Sequence, residues 1–282
     1  MKVIKTIGAL RAAVAAHRRR GHAVGFVPTM GYFHQGHVSL MKASVKAHDT
    51  TVVSLFVNPT QFGPAEDLAR YPRDLKRDTA QARAAGVDIL FVPTVEEMYP
   101  CPAAVSIEVG SMGDILCGAA RPGHFRGVAT VVAKLLNIVQ PDAMYLGQKD
   151  AQQAEVLKRV VMALDFPVRI KVCPTCREQD GLAMSSRNLY LSPAERAKAP
   201  AIYLALCQGA KRIADGERDA SKINSLIKKL ICDGTGASID YVSCVGLDGF
   251  RIVRRIEGDT LMAVAARIGS TRLIDNIVVK VR

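Results

Sequence analysis

Hydrophobic and polar positions fall into two textures along this chain. Up to about residue 175, short Val/Ile-rich runs recur at Val24 to Val27, Thr51 to Val57, Asp88 to Val92, Ala143 to Leu146 and Val168 to Val172. Runs of this length and composition predict buried parallel strands. Between them, Val38 to Ala47, Asp74 to Ala85, Val128 to Val139 and Ala151 to Leu164 carry helical patterns. Alternation of strand and helix at this spacing predicts an α/β fold, a doubly wound parallel sheet. After about residue 176 the order changes. Pro193 opens a long helix with Ser192 as its N-cap, a second helix covers Ala220 to Cys232, and strands follow at Ile239 to Val245, Thr260 to Ile268 and Ile277 to Val281. The pattern therefore predicts two domains, 1–175 and a smaller α+β domain at 176–282.

Composition narrows this picture. The 282 residues suffice for one large or two modest domains, and with no Trp and 5% aromatics the core must be built of Ala, Val, Leu and Ile. The start Met1-Lys2-Val3-Ile4-Lys5 has no signal-peptide core, and no apolar run reaches the roughly 18 residues of a membrane span. A cytoplasmic protein is expected. The net charge of +12 favours polyanionic partners. Basic residues are scattered, apart from Arg18-Arg19-Arg20 and Arg254-Arg255, and are not interleaved with aromatics. That favours a phosphate site over nucleic-acid binding. Seven irregularly spaced cysteines imply reduced thiols. Cys173-Pro174-Thr175-Cys176 lacks a second pair or nearby histidines, so zinc is not expected there.

Chemistry-bearing residues cluster where predicted strands end, the edge at which doubly wound sheets bind ligands. The first cluster is Met30-Gly31-Tyr32-Phe33-His34-Gln35-Gly36-His37. A strand leading into a helix start that carries His-x-Gly-His suits a polyphosphate. The glycine admits close backbone approach, the helix end offers N–H groups, and the imidazoles add donors. A metal site is the alternative, with His17, His22, His48 and His124 the remaining histidines. Asn58-Pro59-Thr60-Gln61-Phe62 follows the second strand and Gly147-Gln148-Lys149-Asp150 a later one. Gly118 to Val128, with Arg121, His124 and Arg126, reads as a flexible basic loop able to grip a carboxylate or phosphate. Met184-Ser185-Ser186-Arg187 follows Gly181 at the domain junction and reads as a mobile cationic loop. Neither a P-loop nor a G-x-G-x-x-G pattern occurs.

Taken in order, Pro28 to Leu40, Phe56 to Phe62, Arg121 to Val128, Asn137 to Gln153 and Arg177 to Tyr190 resemble the pantoate–β-alanine ligase family. That family belongs to the nucleotidyltransferases with a His-x-Gly-His signature. The resemblance implies a Rossmann-like ATP- and pantoate-binding domain, a C-terminal domain that serves as a lid, and a homodimer. It implies ATP and Mg²⁺, and condensation of pantoate with β-alanine through a pantoyl adenylate. It places His34, His37, Lys149 and Arg187 in catalysis, with the two histidines as cationic donors to the ATP phosphates and His37 at the family's proton-donor position. It puts ATP on Met30 to His37, Gly147, Gln148, Lys149, Asp150, Cys176, Met184, Ser185, Ser186 and Arg187. Gln61 and Gln153 would hold pantoate, Arg121 and His124 would bind substrate, and Asp78 would lie at Mg²⁺. Gln148 stands where the family usually has glutamate, and Tyr32-Phe33 replace smaller or aliphatic residues.

Overall fold

A computed structural model describes residues 1–64, 66–101 and 105–281. They form two compact units, Met1–Gln148 with Gln152–Pro174, and Lys149–Ala151 with Thr175–Arg282. The division falls at Pro174/Thr175, one residue before the expected boundary. Lys149–Ala151 group with the second unit although the chain on both sides of them belongs to the first.

In the first unit the order is β1 (Lys2–Ile4), α1 (Ile7–Arg18), β2 (Val24–Thr29), α2 (Gln35–Ala47), β3 (Thr50–Leu55), α3 (Leu75–Ala84), β4 (Ile89–Phe91), α4 (Val95–Met98), α5 (Cys117–Ala120), α6 (His124–Val139), β5 (Ala143–Gly147), α7 (Ala151–Ala163) and β6 (Arg169–Cys173). The strands form one parallel sheet in the order β1-β4-β3-β2-β5-β6. Side chains alternate between two cores. Phe26, Val52, Ile89, Phe91, Met144 and Leu146 enter one, packed with α1 and α6 residues such as Leu10, Val14 and Leu135. Val27, Val53, Leu90, Ala143 and Tyr145 enter the other, with Leu40 and Met41 of α2 and Ala82 of α3. A sheet buried on both faces needs apolar residues at every position, which explains the continuous Val/Ile runs. The chain leaves β2 toward β3 on one side and later returns to place β5 on the other. The ends of β2 and β5 thus lie at a topological switch point, where such sheets bind ligands.

Two helices start earlier than expected. α2 begins at Gln35, and α6 begins at His124. The stretch expected as a flexible loop from Gly118 to Val128 is therefore mostly ordered, with α5 ending at Ala120 and Gly123 in a left-handed conformation (φ 80°) before α6. The sequence pattern does not mark β1 or α1. β1 is a three-residue edge strand whose first two residues are exposed, so little alternation is visible.

In the second unit the order is α8 (Pro193–Lys198), α9 (Ala201–Ala214), α10 (Ala220–Thr235), β7 (Ser238–Gly246), β8 (Arg251–Ile252), β9 (Thr260–Ile268) and β10 (Thr271–Val279). The sheet is antiparallel in the order β10-β9-β7-β8. Ile223, Ile227 and Ile231 line one face of α10 and meet Ile202, Leu206 and Ile213 of α9 over Met262, Val264 and Ala266 of β9. A Cβ on Gly209 would lie 2.7 Å from Ile227 Cδ1, so this glycine sets how closely α9 and α10 approach. The single long helix expected from Pro193 is broken at Pro200, which lacks the N–H that a continuing helix needs. The last strand spans Thr271–Val279 instead of Ile277 to Val281. Its middle holds Asp275 and Asn276, two buried polar residues that interrupt the apolar pattern.

Candidate active site

The His-x-Gly-His segment caps α2. His34 is the N-cap residue, and its Nδ1 accepts from the Gly36 N–H at 3.1 Å. His37 Nδ1 accepts from the His34 N–H at 3.3 Å, and the two ring centroids are 4.1 Å apart. A ring nitrogen that accepts an N–H carries no proton, so each imidazole is neutral and protonated on Nε2. The expectation of cationic imidazoles here is therefore corrected, because each Nδ1 is used as an acceptor of a backbone N–H. The capping arrangement makes them neutral Nε2–H donors beside a helix N-terminus.

The turn before them is held by α3. Gly31 (φ 84°) and Tyr32 (φ 48°) both adopt left-handed backbone. Strain of this kind at Tyr32 persists only where neighbours enforce it. Asp78 does so, its two oxygens accepting the Tyr32 and Phe33 N–H groups at 2.7 Å each. Arg77 stacks 4.6 Å from the Tyr32 ring centroid and donates to the Phe33 carbonyl at 3.0 Å. Asp78 is 1% exposed. Burial pushes its carboxyl above the usual carboxylate range, against the downward pull of the Phe33 and Tyr32 N–H groups and of Arg77. A buried carboxylate with both oxygens on backbone donors, and Arg77 beside it, does not fit the Mg²⁺ ligand expected at this position. No group of three or more His, Cys, Asp or Glu side chains able to hold a metal occurs among the described residues.

Gln61 ends the single-turn helix Pro59–Gln61 that follows β3, and it is buried. Asn58 fixes its amide. Asn58 Nδ2 donates to Gln61 Oε1 and to the Gly127 carbonyl, each at 3.2 Å, while its Oδ1 accepts from Thr60 Oγ1 and Tyr99 Oη at 3.0 and 2.9 Å. With Oε1 engaged, Gln61 Nε2 turns toward Met30 Sδ at 3.2 Å. A thioether is a weak acceptor, so a buried amide N–H pair is left facing a poor partner beside the His-x-Gly-His turn.

Arg121 and His124 lie behind Gln61. Arg121 pairs with Glu66 at 2.8 and 2.5 Å and reaches His124 Nε2 at 3.0 Å and the Gln61 carbonyl at 3.2 Å. His124 Nδ1 donates to the same carbonyl at 2.8 Å. Both were expected to bind substrate directly. In this structure both side chains reach the Gln61 carbonyl and brace its main chain. α6 comes close here because of Gly127, where a Cβ would lie 2.3 Å from the Thr60 carbonyl oxygen. Asn58 and Gly127 as supports of Gln61 were not foreseen. The only trace of the first in the sequence is the Asn-Pro helix start.

β5, which lies between β2 and β6 in the sheet, ends at Gly147, and Gln148 opens the single-turn helix Gln148–Asp150 that follows. On α7, Gln152 accepts from the Cys117 N–H at 3.0 Å and donates to the Met112 and Ile115 carbonyls, whereas its neighbour Gln153 is half-buried.

The second unit carries Lys149, Asp150 and the Met184–Arg187 segment. Lys149 is half-buried and Asp150 exposed, in the turn before α7. The chain from Cys176 to Met184 folds back on itself: the Met184 N–H donates to the Cys176 carbonyl at 3.0 Å, and Arg177 and Ala183 form an antiparallel bridge. Ser185 then caps the turn Ser186–Tyr190, its Oγ accepting from the Arg187 N–H at 3.2 Å. All seven cysteines are free thiols. No helix among the described residues is long and apolar enough to cross a membrane.

Comparison with known proteins shows the family. Residues 2–278 match the family model described as pantoate-beta-alanine ligase. The pantothenate synthetase of Moorella thermoacetica is 52% identical over 281 residues, covering 100% of this chain and 99% of the relative. That of Acetivibrio thermocellus is 51% identical with full coverage of both. The crystal structure of pantothenate synthetase from Thermus thermophilus superposes with a TM-score of 0.93 at 44% identity, covering 98% of this chain and 99% of the other. A pantoate-beta-alanine ligase from Francisella tularensis, complexed with beta-gamma ATP and beta-alanine, gives a TM-score of 0.80 at 34% identity over 98% and 97%. With the family model matched over residues 2–278 and relatives about half identical across their whole length, this chain belongs to the pantoate-beta-alanine ligase family.

Proposed function

We infer that this chain condenses (R)-pantoate with β-alanine at the expense of ATP, giving pantothenate, AMP and diphosphate. The observation that carries the assignment of the acid site is Gln61. Its amide is held by Asn58 so that Nε2 of this buried residue faces, among the described residues, the Met30 thioether and can serve an oxygen acceptor. A hydroxy acid supplies such acceptors, and Gln153 offers a second amide.

A carboxylate resists attack by an amine because it has no leaving group. In the first step a pantoate carboxylate oxygen bonds to the α-phosphorus of ATP as the bond to the β-phosphate oxygen breaks, releasing diphosphate. In the second step the β-alanine amine bonds to the acyl carbon, the acyl–phosphate C–O bond breaks, AMP leaves and the nitrogen loses a proton. Charge moves toward the β-phosphate bridge in the first step, so donors preorganised around the phosphates are the main catalytic requirement. The neutral Nε2–H groups of His34 and His37 serve there, with His37 donating toward the developing charge. Met30 to Phe33, Gln35 and Gly36 form the turn around the nucleotide, continued by Gly147 and Gln148. Lys149 and Arg187 supply positive charge, and Ser185 and Ser186 supply hydroxyls. Asp150 serves the ribose, and Cys176 serves adenine through its main chain. Mg²⁺ accompanies ATP as its phosphate chelate, consistent with the absence of a fitting protein ligand at Asp78. The chain acts as a homodimer.

The test is diphosphate release from ATP and pantoate, with and without β-alanine. A burst of about one equivalent per site without the amine, and steady turnover with it, is expected. Release that requires β-alanine from the first turnover would refute the adenylate, and no release with pantoate would refute the acid assignment.

A further inference from the structure

We propose that Asp275 and Asn276 of β10 form the positioning element for the phosphate-binding segments of the second unit. This rests on the role assigned above to Lys149 and Arg187. Both residues lie inside a nine-residue strand paired along its length with β9, and they are 4% and 5% exposed. Burying a carboxylate and an amide in a strand is unfavourable unless both are fully bonded, and well-packed apolar residues would stabilise the sheet as well or better. Stability alone therefore does not account for them. Their partners do.

Asp275 receives a two-pronged ion pair from Arg177, with Nη1–Oδ2 at 2.6 Å and Nη2–Oδ1 at 2.9 Å. Such a fork fixes direction as well as distance. The same guanidinium donates to the Gly181 carbonyl at 3.0 Å and lies 3.7 Å over the Tyr203 ring of α9. Gly181 (φ 94°) also touches that ring closely, since a Cβ there would lie 2.5 Å from Tyr203 Cδ1. The fold-back from Cys176 to Met184 is thus pinned at its base to β10 and at its tip to α9. Ser185–Arg187 are the residues it delivers. The next residue on β10 faces the opposite way, and its side chain reaches the other segment: Asn276 Nδ2 donates to the Lys149 carbonyl at 2.9 Å. One dipeptide thus fixes the main chain at Lys149 and, through Arg177, the approach to Arg187. Neither Asp275 nor Asn276 need touch a substrate to do this, so both are positioning residues.

The experiment is a pair of double-mutant cycles read on the dissociation constant for ATP, which stays measurable in slow variants, with turnover and thermal unfolding alongside. Asn276→Ala is expected to weaken ATP about tenfold and to slow turnover by between tenfold and a hundredfold, the scale of a misplacement of about 1 Å. The KM for pantoate should stay within about twofold. In a Lys149→Ala background the further loss of ATP affinity from Asn276→Ala should shrink below about twofold, because the group it orients is gone. Asp275→Asn should show the same coupling to Arg187→Ala and little to Lys149→Ala. If either β10 variant unfolds, the other cycle decides. Losses that simply multiply in both cycles, or an Asn276→Ala enzyme that binds ATP like wild type while Lys149→Ala does not, would overturn the proposal. Unchanged ATP binding and turnover in the Lys149→Ala single variant would instead overturn the site assignment on which it rests.

Discussion

Replacing Gly127 by alanine adds one methyl group and is expected to disable the acid site. An ideal Cβ at this position lies 2.3 Å from the Thr60 carbonyl oxygen and 2.7 Å from the Gln61 nitrogen, against about 3.4 Å for an ordinary contact. Both obstacles are backbone, so no side-chain rotation relieves them. α6 and the Pro59–Gln61 turn must separate by about 1 Å. That lengthens the Asn58–Gly127 bond from its 3.2 Å and turns Asn58 away from Gln61 Oε1. Overpacking of this kind costs about 1–3 kcal/mol, and a shift of about 1 Å in a substrate-positioning group lowers the rate about a hundredfold. The expected result is a kcat/KM for pantoate reduced by about two orders of magnitude, with the dissociation constant for ATP within about twofold of wild type. Melting should fall by roughly 2–12 °C, at about 2–4 °C per kcal/mol for a chain of this size. Steady-state diphosphate release at varied pantoate, calorimetric ATP binding and circular dichroism melting measure these quantities. A variant with wild-type kcat/KM for pantoate would refute the argument that close packing of α6 sets Gln61.

Three further outcomes follow from the site. His37→Ala and Lys149→Ala should each lower single-turnover diphosphate release by about two orders of magnitude or more, the scale of a lost transition-state donor, while melting stays near wild type; rates within about threefold of wild type in both would remove them from the site. Asp78→Ala leaves the Tyr32 and Phe33 N–H groups unpaired and should destabilise the protein by about 2 kcal/mol net, while the half-saturating Mg²⁺ concentration stays unchanged; a raised Mg²⁺ requirement relieved by Mn²⁺ would show that Asp78 is a metal ligand after all. Burial pushes the Cys244 thiol from 9.0 up to about 12. A folded-state value above the unfolded one stabilises fully below the unfolded value and less as pH rises, so stability should decline between pH 9 and about 12. Cys244→Ala should flatten that decline, and equal slopes in both proteins would count against it.

The strands of the first unit were legible because both faces of the parallel sheet are buried, which leaves unbroken runs such as Thr51-Val52-Val53. β1 escaped because an exposed edge strand of three residues has no such run. The His-x-Gly-His turn and Gln61 could be picked out from residue types at strand ends. The protonation of His34 and His37 could not, because it depends on which ring nitrogen meets which backbone N–H. Nor could the inward-braced state of Arg121, whose partners Glu66 and Gln61 are distant in sequence and are set by where α6 begins. The misplaced start of β10 is instructive in another way. Arg272, Asp275 and Asn276 break the alternation that marks a strand, and two of the three are buried. Local rules fail where a strand is used to hold other segments as well as to fill a core.

The grouping of Lys149–Ala151 with the second unit has a consequence for recombination between relatives. The chain crosses between the units at three points in sequence, after Gln148, after Ala151 and after Pro174. A chimera spliced only at Pro174/Thr175 would unite Lys149–Ala151 from one parent with β10 from another, splitting the Lys149–Asn276 hydrogen bond between two lineages. The acceptor is a main-chain carbonyl, so the bond itself tolerates any side chain at 149, but an exchange of the second unit as a whole has to carry Lys149–Ala151 together with the chain from Thr175 onward.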